Sequence, residues 1–240
     1  MTKKQLENAT KIFNDTITKL SKIPAFKKRV NLEDVSIKIE DIPLNEYGDK
    51  VDGITYIWGD EDGRIIKREI AFDYSIYKEM NKALLKFYEG LALEENGTQR
   101  IVGFMHEVGH TREKCVNDLE KGSKEYFLSE GLNEIIARLE TAFMIKDRYS
   151  EIENDEVKNM LNNLDSWVNK NGYYNKQVKT IENALSRFGD KLKDKIYNDM
   201  KEKLIKTKHE RIFKTMAEVM SKYSIVKATL SMRNLEKIEE

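Results

Sequence analysis

Cysteine and proline are scarce in this chain, which has one cysteine, Cys115, and two prolines among its 240 residues. A single cysteine excludes an internal disulfide framework and a zinc site built from several cysteines. Any bound metal must therefore be held by histidine and carboxylate side chains. The chain also contains no run of about 18 apolar residues, so no membrane-spanning helix is expected.

Charge of neither sign is in excess, since 42 Lys and Arg residues balance 42 Asp and Glu residues. Neither sign is gathered into a long block, so the basic patch of a nucleic-acid-binding protein is missing. We expect no nucleic-acid partner and no membrane partner. Residues 1–20 lack the apolar segment of a signal peptide, which predicts a cytoplasmic location and leaves delivery by a specialised secretion route open.

The apolar residues follow two different periods, which predict an α+β fold. Residues 35–72 alternate apolar and polar side chains around a turn rich in glycine and aspartate, which predicts a small antiparallel sheet of about three strands. The helical period recurs over residues 3–23, 75–93, 98–117 and nearly all of the chain from 129 onward. No strand is predicted after residue 72.

We predict a single domain over residues 1–240 with two lobes. An α+β N-terminal lobe covers residues 1–122, and an all-helical C-terminal lobe covers residues 123–240. The junction is the polar connector around Gly122. A hydrophobic content of 40% is enough for one well-buried core in a chain of this length.

Residues 106–110 read His-Glu-Val-Gly-His, which matches the His-Glu-x-x-His zinc motif and contains two of the three histidines of the chain. On a helix, residues four apart share a face, so His106 and His110 can direct both imidazoles at one ion. The opposite face is apolar and carries Ile101, Phe104, Met105 and Val108. The motif therefore predicts a zinc site along one face of this helix.

A catalytic zinc usually takes a third protein ligand and keeps a fourth position for water. The metzincin pattern is excluded, because it would need glycine at Glu113 and histidine at Val116. A deformylase-like site is also excluded, because its cysteine ligand precedes the motif whereas Cys115 follows it. The remaining large class takes a glutamate from a following helix.

Residues 128–134 read Leu-Ser-Glu-Gly-Leu-Asn-Glu and offer such a glutamate. Together with the motif they resemble the gluzincin metallopeptidases, the group that contains thermolysin, the aminopeptidase N family and clostridial collagenases. The resemblance covers residues 98–140, under a fifth of the chain. It implies a zincin-like fold, a Zn²⁺ cofactor and a peptide or protein substrate.

The resemblance implies two candidates for the third ligand. In the aminopeptidase and collagenase families the ligand directly precedes glycine, which maps to Glu130, with 19 residues between it and His110. The Asn-Glu pair of the thermolysin family would instead assign Glu134, at a longer spacing. We favour Glu130 as the ligand and expect Glu134, one turn later, to accept an N–H from a ligating imidazole.

The same resemblance implies catalytic roles for other side chains. Glu107 would be the general base that takes a proton from zinc-activated water and passes it to the leaving amine. A Tyr or His from the following lobe would stabilise the oxyanion of the tetrahedral intermediate. We favour Tyr173 and Tyr174, which follow a glycine break, and Tyr197 and His209 are the other candidates.

Residues 64–72 are a candidate edge strand, because zincins bind extended substrates along such a strand, but an interior position in the sheet is an equal alternative. The leading prediction is a zinc-dependent metallopeptidase. Two other functions stay open: a non-catalytic zincin-like helical module that binds a partner protein, and a zinc hydrolase of a non-peptide amide.

Overall fold

The computed structural model of the protein describes residues 1–44, 50–62, 64–112, 123–170, 174–204 and 212–236. The helices are α1 (Lys3–Leu20), α2 (Pro24–Lys27), α3 (Tyr74–Glu89), α4 (Glu95–His110), α5 (Lys124–Tyr149), α6 (Asp155–Val168), α7 (Asn175–Leu185), α8 (Asp190–Leu204), α9 (Ile212–Ser221) and α10 (Ile225–Glu236), with a 3₁₀ turn at Ser186–Phe188. The strands are β1 (Val35–Glu40), β2 (Gly53–Gly59) and β3 (Ile65–Asp73).

This set of elements confirms the predicted α+β class, with helix predominating. In the part of the chain that the structure describes, no strand follows β3, also as predicted. Helix α4 begins at Glu95, three residues before the predicted start, and residues 113–117 of the predicted helix lie outside the described ranges. None of the helices described is long and apolar enough to cross a bilayer.

The three strands form one mixed sheet in the order β1, β3, β2. Strand β1 runs parallel to β3, with Val35 opposite Arg68, so the prediction of an antiparallel sheet is wrong for this pair. Between β2 and its neighbour β3, the Asp60 N–H donates a hydrogen bond to the Arg64 carbonyl. The alternation of side chains predicts which residues share a face and carries no information about strand direction.

The chain divides into two compact units. Unit 1 comprises Met1–Trp58, Ile66–Thr111 and Ala137–Lys170, and unit 2 comprises Gly59–Ile65, Arg112–Ile136 and Asn171–Glu240. The predicted division into lobes 1–122 and 123–240 stays a prediction, because its junction at Gly122 lies outside the described residues.

An aromatic cluster forms the centre of the core of unit 1. The ring of Phe104 lies 6.4 Å from that of Phe13, 6.1 Å from that of Phe26 and 5.9 Å from that of Phe72, measured between centroids. All four side chains are almost completely buried. Because Phe104 belongs to α4, this packing sets which face of α4 points away from the core.

Helix α1 covers the outer edge of strand β1. The Thr10 hydroxyl accepts a hydrogen bond from the Ile39 N–H at 2.8 Å, and the Asn14 amide donates to the Ile37 carbonyl at 3.1 Å. These bonds satisfy main-chain groups that an edge strand would otherwise leave to solvent or to another strand. One edge of the sheet is therefore closed by side chains of the chain itself.

Unit 2 has a helical core of its own. Helix α7 packs against α10, and α8 packs against α9. Its buried apolar side chains include Val178, Ile181, Leu185, Ile196, Met200, Met216, Met220 and Leu235. The buried Ser231 hydroxyl donates to the Ala184 carbonyl and so ties α10 to α7.

Candidate metal centre

Helix α4 places the His-Glu-x-x-His residues on the face that the helical period predicts. Ile101, Phe104, Met105 and Val108 are fully buried on the apolar face. On the other face His106 is buried, whereas Glu107 and His110 are half-buried. The predicted partition of α4 into a packed face and a face that carries the motif is confirmed.

The two motif imidazoles converge on one point. Their Nε2 atoms lie 3.2 Å apart, and the ring planes are inclined by 73° with centroids 5.0 Å apart. Two ligands at about 2.0–2.1 Å from a tetrahedral zinc ion are about 3.3–3.4 Å apart. The spacing of the two nitrogens therefore already fits a shared zinc ion.

A carboxylate completes the set of potential ligands. One ligand atom each from His106, His110 and Glu130 lies within 4.8 Å of the others. Glu130 is buried, with 6% of its surface exposed. Glu134 is also buried but does not belong to this group in the described structure. The group contains the three residues that the sequence favours as ligands, and their assignment as zinc ligands stays a prediction.

Gly131, directly after Glu130, is required by close packing between α5 and α7. A Cβ atom at this position would lie 2.7 Å from Cβ of Gln177 and 2.8 Å from Cδ1 of Ile181. Both distances are shorter than van der Waals contact, so any larger side chain would push the two helices apart. The glycine of the Glu-Gly pair therefore has a structural role in this chain.

Strand β2 contacts the Glu107 side chain. The Thr55 hydroxyl lies 2.7 Å from Oε2 of Glu107 and 3.0 Å from the Glu107 carbonyl oxygen. A Cβ atom at Gly53 would lie 3.0 Å from Cγ of Glu107, so glycine permits the close approach of the strand to this side chain. Sequence reasoning missed both residues, because they lie about 50 positions before the motif.

One sequence signal could have pointed to these residues. The alternation within residues 53–58 places Gly53 and Thr55 on one side of the strand, and Tyr56 and Trp58 on the other. The rings of Tyr56 and Trp58 stack with centroids 5.7 Å apart. Knowing which side faces α4 would have required knowing the order of the strands.

An ion pair anchors the start of β2 to α4. Arg100 of α4 lies 2.8 Å from a carboxylate oxygen of Asp52 and 2.9 Å from one of Glu79. Burial raises the pKa of Asp52, the Asp73 charge adds to this, and the Arg100 guanidinium opposes it. Asp52 precedes Gly53, so this contact holds the strand that reaches Glu107.

The strand order corrects the edge-strand hypothesis. Strand β3, which contains most of residues 64–72, is the middle strand of the sheet, so the interior position, one of the two equal alternatives, is confirmed and the edge position is excluded. The edge strand that contacts the motif helix is β2. The direction and order of the strands depend on how the chain between β1 and β2 returns, which local alternation does not encode.

Two of the four candidate oxyanion donors lie among the described residues. Tyr173 and His209 lie outside the described residues, and Tyr174 is half-buried directly before α7. Tyr197 is buried, and its hydroxyl has no hydrogen-bond partner among the described residues. Burial raises the pKa of Tyr197, and the charges of nearby carboxylates add to this. The assignment of Tyr173 and Tyr174 stays a prediction.

Comparisons of this chain with protein-family models, with curated proteins and with solved structures gave no match.

Proposed function

We propose that the protein is a zinc-dependent metallopeptidase of the gluzincin type, with His106, His110 and Glu130 as zinc ligands and Glu107 as the general base. The observation that carries the proposal is the group of three potential ligand atoms, one each from His106, His110 and Glu130, that lie within 4.8 Å of one another. Two imidazole nitrogens and one carboxylate oxygen are the donor set of many catalytic zinc sites, which leave one position open. The 3.2 Å spacing of the imidazole nitrogens is compatible with two ligands of one zinc ion.

Zinc, when bound, supplies a Lewis acid that polarises a carbonyl group and acidifies water. The Glu107 carboxylate then accepts the proton of the attacking water and delivers it to the nitrogen of the leaving amine. Glu107 directly follows His106 on α4. Tyr173 or Tyr174 donates a hydrogen bond to the oxyanion in this proposal.

Strand β2 is the segment that we propose to bind the substrate main chain. It is an edge strand, and its main chain makes no hydrogen bond outside the sheet in the described structure. The opposite edge is occupied by Thr10 and Asn14. An extended peptide that adds to β2 would gain main-chain hydrogen bonds with little demand on sequence. Peptides and proteins are therefore the proposed substrates.

The metal content of the purified protein tests the zinc site. Elemental mass spectrometry of the wild type should find about one zinc per chain, as expected for a single site of this ligand set. His106→Ala and Glu130→Ala should abolish zinc uptake, and Glu134→Ala should only weaken it. His209→Ala is the matched control, because it removes the one histidine outside the motif. A wild type that takes up no zinc on reconstitution would overturn the proposal.

The reaction is tested with the zinc-loaded protein and a mixed library of fluorescence-quenched peptides. We expect cleavage by the wild type and none by Glu107→Gln, which retains zinc but has no base. Zinc uptake without peptide cleavage would favour a non-catalytic interaction module. Hydrolysis of small amides that peptides do not inhibit would favour a hydrolase of non-peptide amides.

A further inference from the structure

The contact between Thr55 and Glu107 joins the edge strand to the motif helix. The Thr55 hydroxyl carries one hydrogen and lies 2.7 Å from carboxylate Oε2 and 3.0 Å from the main-chain oxygen of Glu107. The shorter distance and the charge of the acceptor favour donation to the carboxylate. The hydrogen bond therefore restrains one of the two oxygens of this side chain.

Three further contacts show that this arrangement is built into unit 1. Gly53 lies two residues before Thr55, on the same side of β2. A Cβ atom at this position would lie only 3.0 Å from Cγ of Glu107, so glycine allows the Glu107 side chain to lie this close to the strand. The Asp52 main-chain oxygen accepts a hydrogen bond from Asp73, and the Asp52 carboxylate pairs with Arg100. The strand that carries Thr55 is thus held on both sides.

We propose that Thr55 is a positioning residue for Glu107. Its hydroxyl holds Oε2 so that Oε1 is left to accept and return the proton. A glutamate side chain has three rotatable bonds, and a carboxylate displaced by about 1 Å loses much of its catalytic effect. This inference rests on the proposed function, because Glu107 needs an exact position only if it is the general base.

Four metal-free proteins test the hydrogen bond without an assay of catalytic activity. They are the wild type, Thr55→Val, Glu107→Ala and the double variant, compared by thermal unfolding. Valine has the shape of threonine without the hydroxyl, so the melting-temperature losses should be non-additive if the two side chains interact. Additive losses of melting temperature would show that the two side chains do not stabilise each other and would overturn the proposal.

The zinc-loaded proteins test positioning against a merely structural role. With the quenched-peptide library, Thr55→Val should lower kcat about 10-fold or more, change KM less than about 2-fold and keep the zinc content of the wild type. Thr55→Ser, which keeps the hydroxyl, should restore kcat to within about 2-fold of the wild type. Equal loss in Thr55→Ser and Thr55→Val, or an unchanged kcat in Thr55→Val, would overturn the proposal.

Thr10→Val is the matched control, because it removes a hydroxyl that bonds the edge of β1 in the same unit. It should lower the melting temperature and leave kcat unchanged. A zinc-loaded wild type that cleaves no peptide would overturn the proposed function and, with it, the effect of Thr55 on catalysis. The metal-free variants would still show whether Thr55 holds Glu107, so the two failures are distinguishable.

Discussion

The Nε2 atoms of His106 and His110 lie 3.2 Å apart, one turn apart on α4. A hydrogen bond at this distance requires one imidazole to donate its N–H and the other to accept it. A zinc ion would replace that single hydrogen bond by two coordinate bonds. The pair is therefore expected to link metal binding to the stability of the fold.

Zinc should raise the melting temperature of the protein. A ligand that binds only the folded state stabilises it by about 2.7 kcal/mol when its free concentration is about 100 times its Kd. We expect thermal unfolding to shift upward with zinc in the wild type and to shift back with a chelator. His110→Ala should lose the shift and His209→Ala should keep it. The same shift in His110→Ala as in the wild type would contradict the assigned ligand.

Gly131→Ala should destabilise the protein by about 1–3 kcal/mol, because the new methyl group would overlap Gln177 and Ile181. Gly103→Ala is the matched control. Gly103 is also inside a helix, but a Cβ atom there meets nothing within 4 Å. It should stabilise the protein by up to about 1 kcal/mol through helix propensity. Urea unfolding of both variants gives the comparison, and equal effects would contradict the packing described for α5 and α7.

Asp73→Asn should cost stability near neutral pH and little in acid. Burial alone would raise the pKa of Asp73, but hydrogen bonds from Ser75 and Ile42 and the Lys50 ammonium hold it below the usual value of 3.8. A depressed pKa in the folded state stabilises the fold above the unfolded-state pKa, and this contribution is lost as pH falls through the folded pKa.

Urea unfolding at pH 7 and pH 3 measures this effect. We expect Asp73→Asn to lower the free energy of unfolding by about 1–3 kcal/mol at pH 7, with a smaller difference from the wild type below about pH 4. The exposed Asp15→Asn is the control, with a change within about 0.5 kcal/mol. A difference for Asp73→Asn that is independent of pH would contradict the charged network.

Phe104→Ala should cost about 3–5 kcal/mol, because this ring is completely buried among three other phenylalanines. The same change should weaken zinc uptake, because the ring sets the rotation of α4 and both motif histidines belong to that helix. Phe143→Ala, at a ring that is 39% exposed, is the control and should cost much less. Chemical denaturation and zinc titration of both variants check the two effects.

Much of the helical architecture follows from local pattern. The residues that the helical period assigns to the apolar face of α4 are all buried in the structure, Ile101 and Phe104 among them. Spacing of three and four residues is a property of the helix itself, so it can be recognised without knowing what packs against it. The helices after residue 129 were predictable for the same reason.

The sheet shows where local pattern stops being informative. Alternation predicted the strands over residues 35–72, yet β1 runs parallel to β3, and β2 rather than β3 is the edge strand beside α4. A strand has the same alternation in either direction and at any place in a sheet. The path of the connecting chain decides both, and it depends on contacts between distant residues.

The sequence by itself determined that any metal must be held by His and carboxylate side chains, that His106, Glu107 and His110 share one face of a helix, and that the fold is α+β. Only the tertiary structure decided that Glu130 joins the two histidines in one group and that Thr55 meets Glu107. The first set depends on composition and on the geometry of a single helix. The second depends on the packing of segments that are 20 to 52 positions apart, which no local period records.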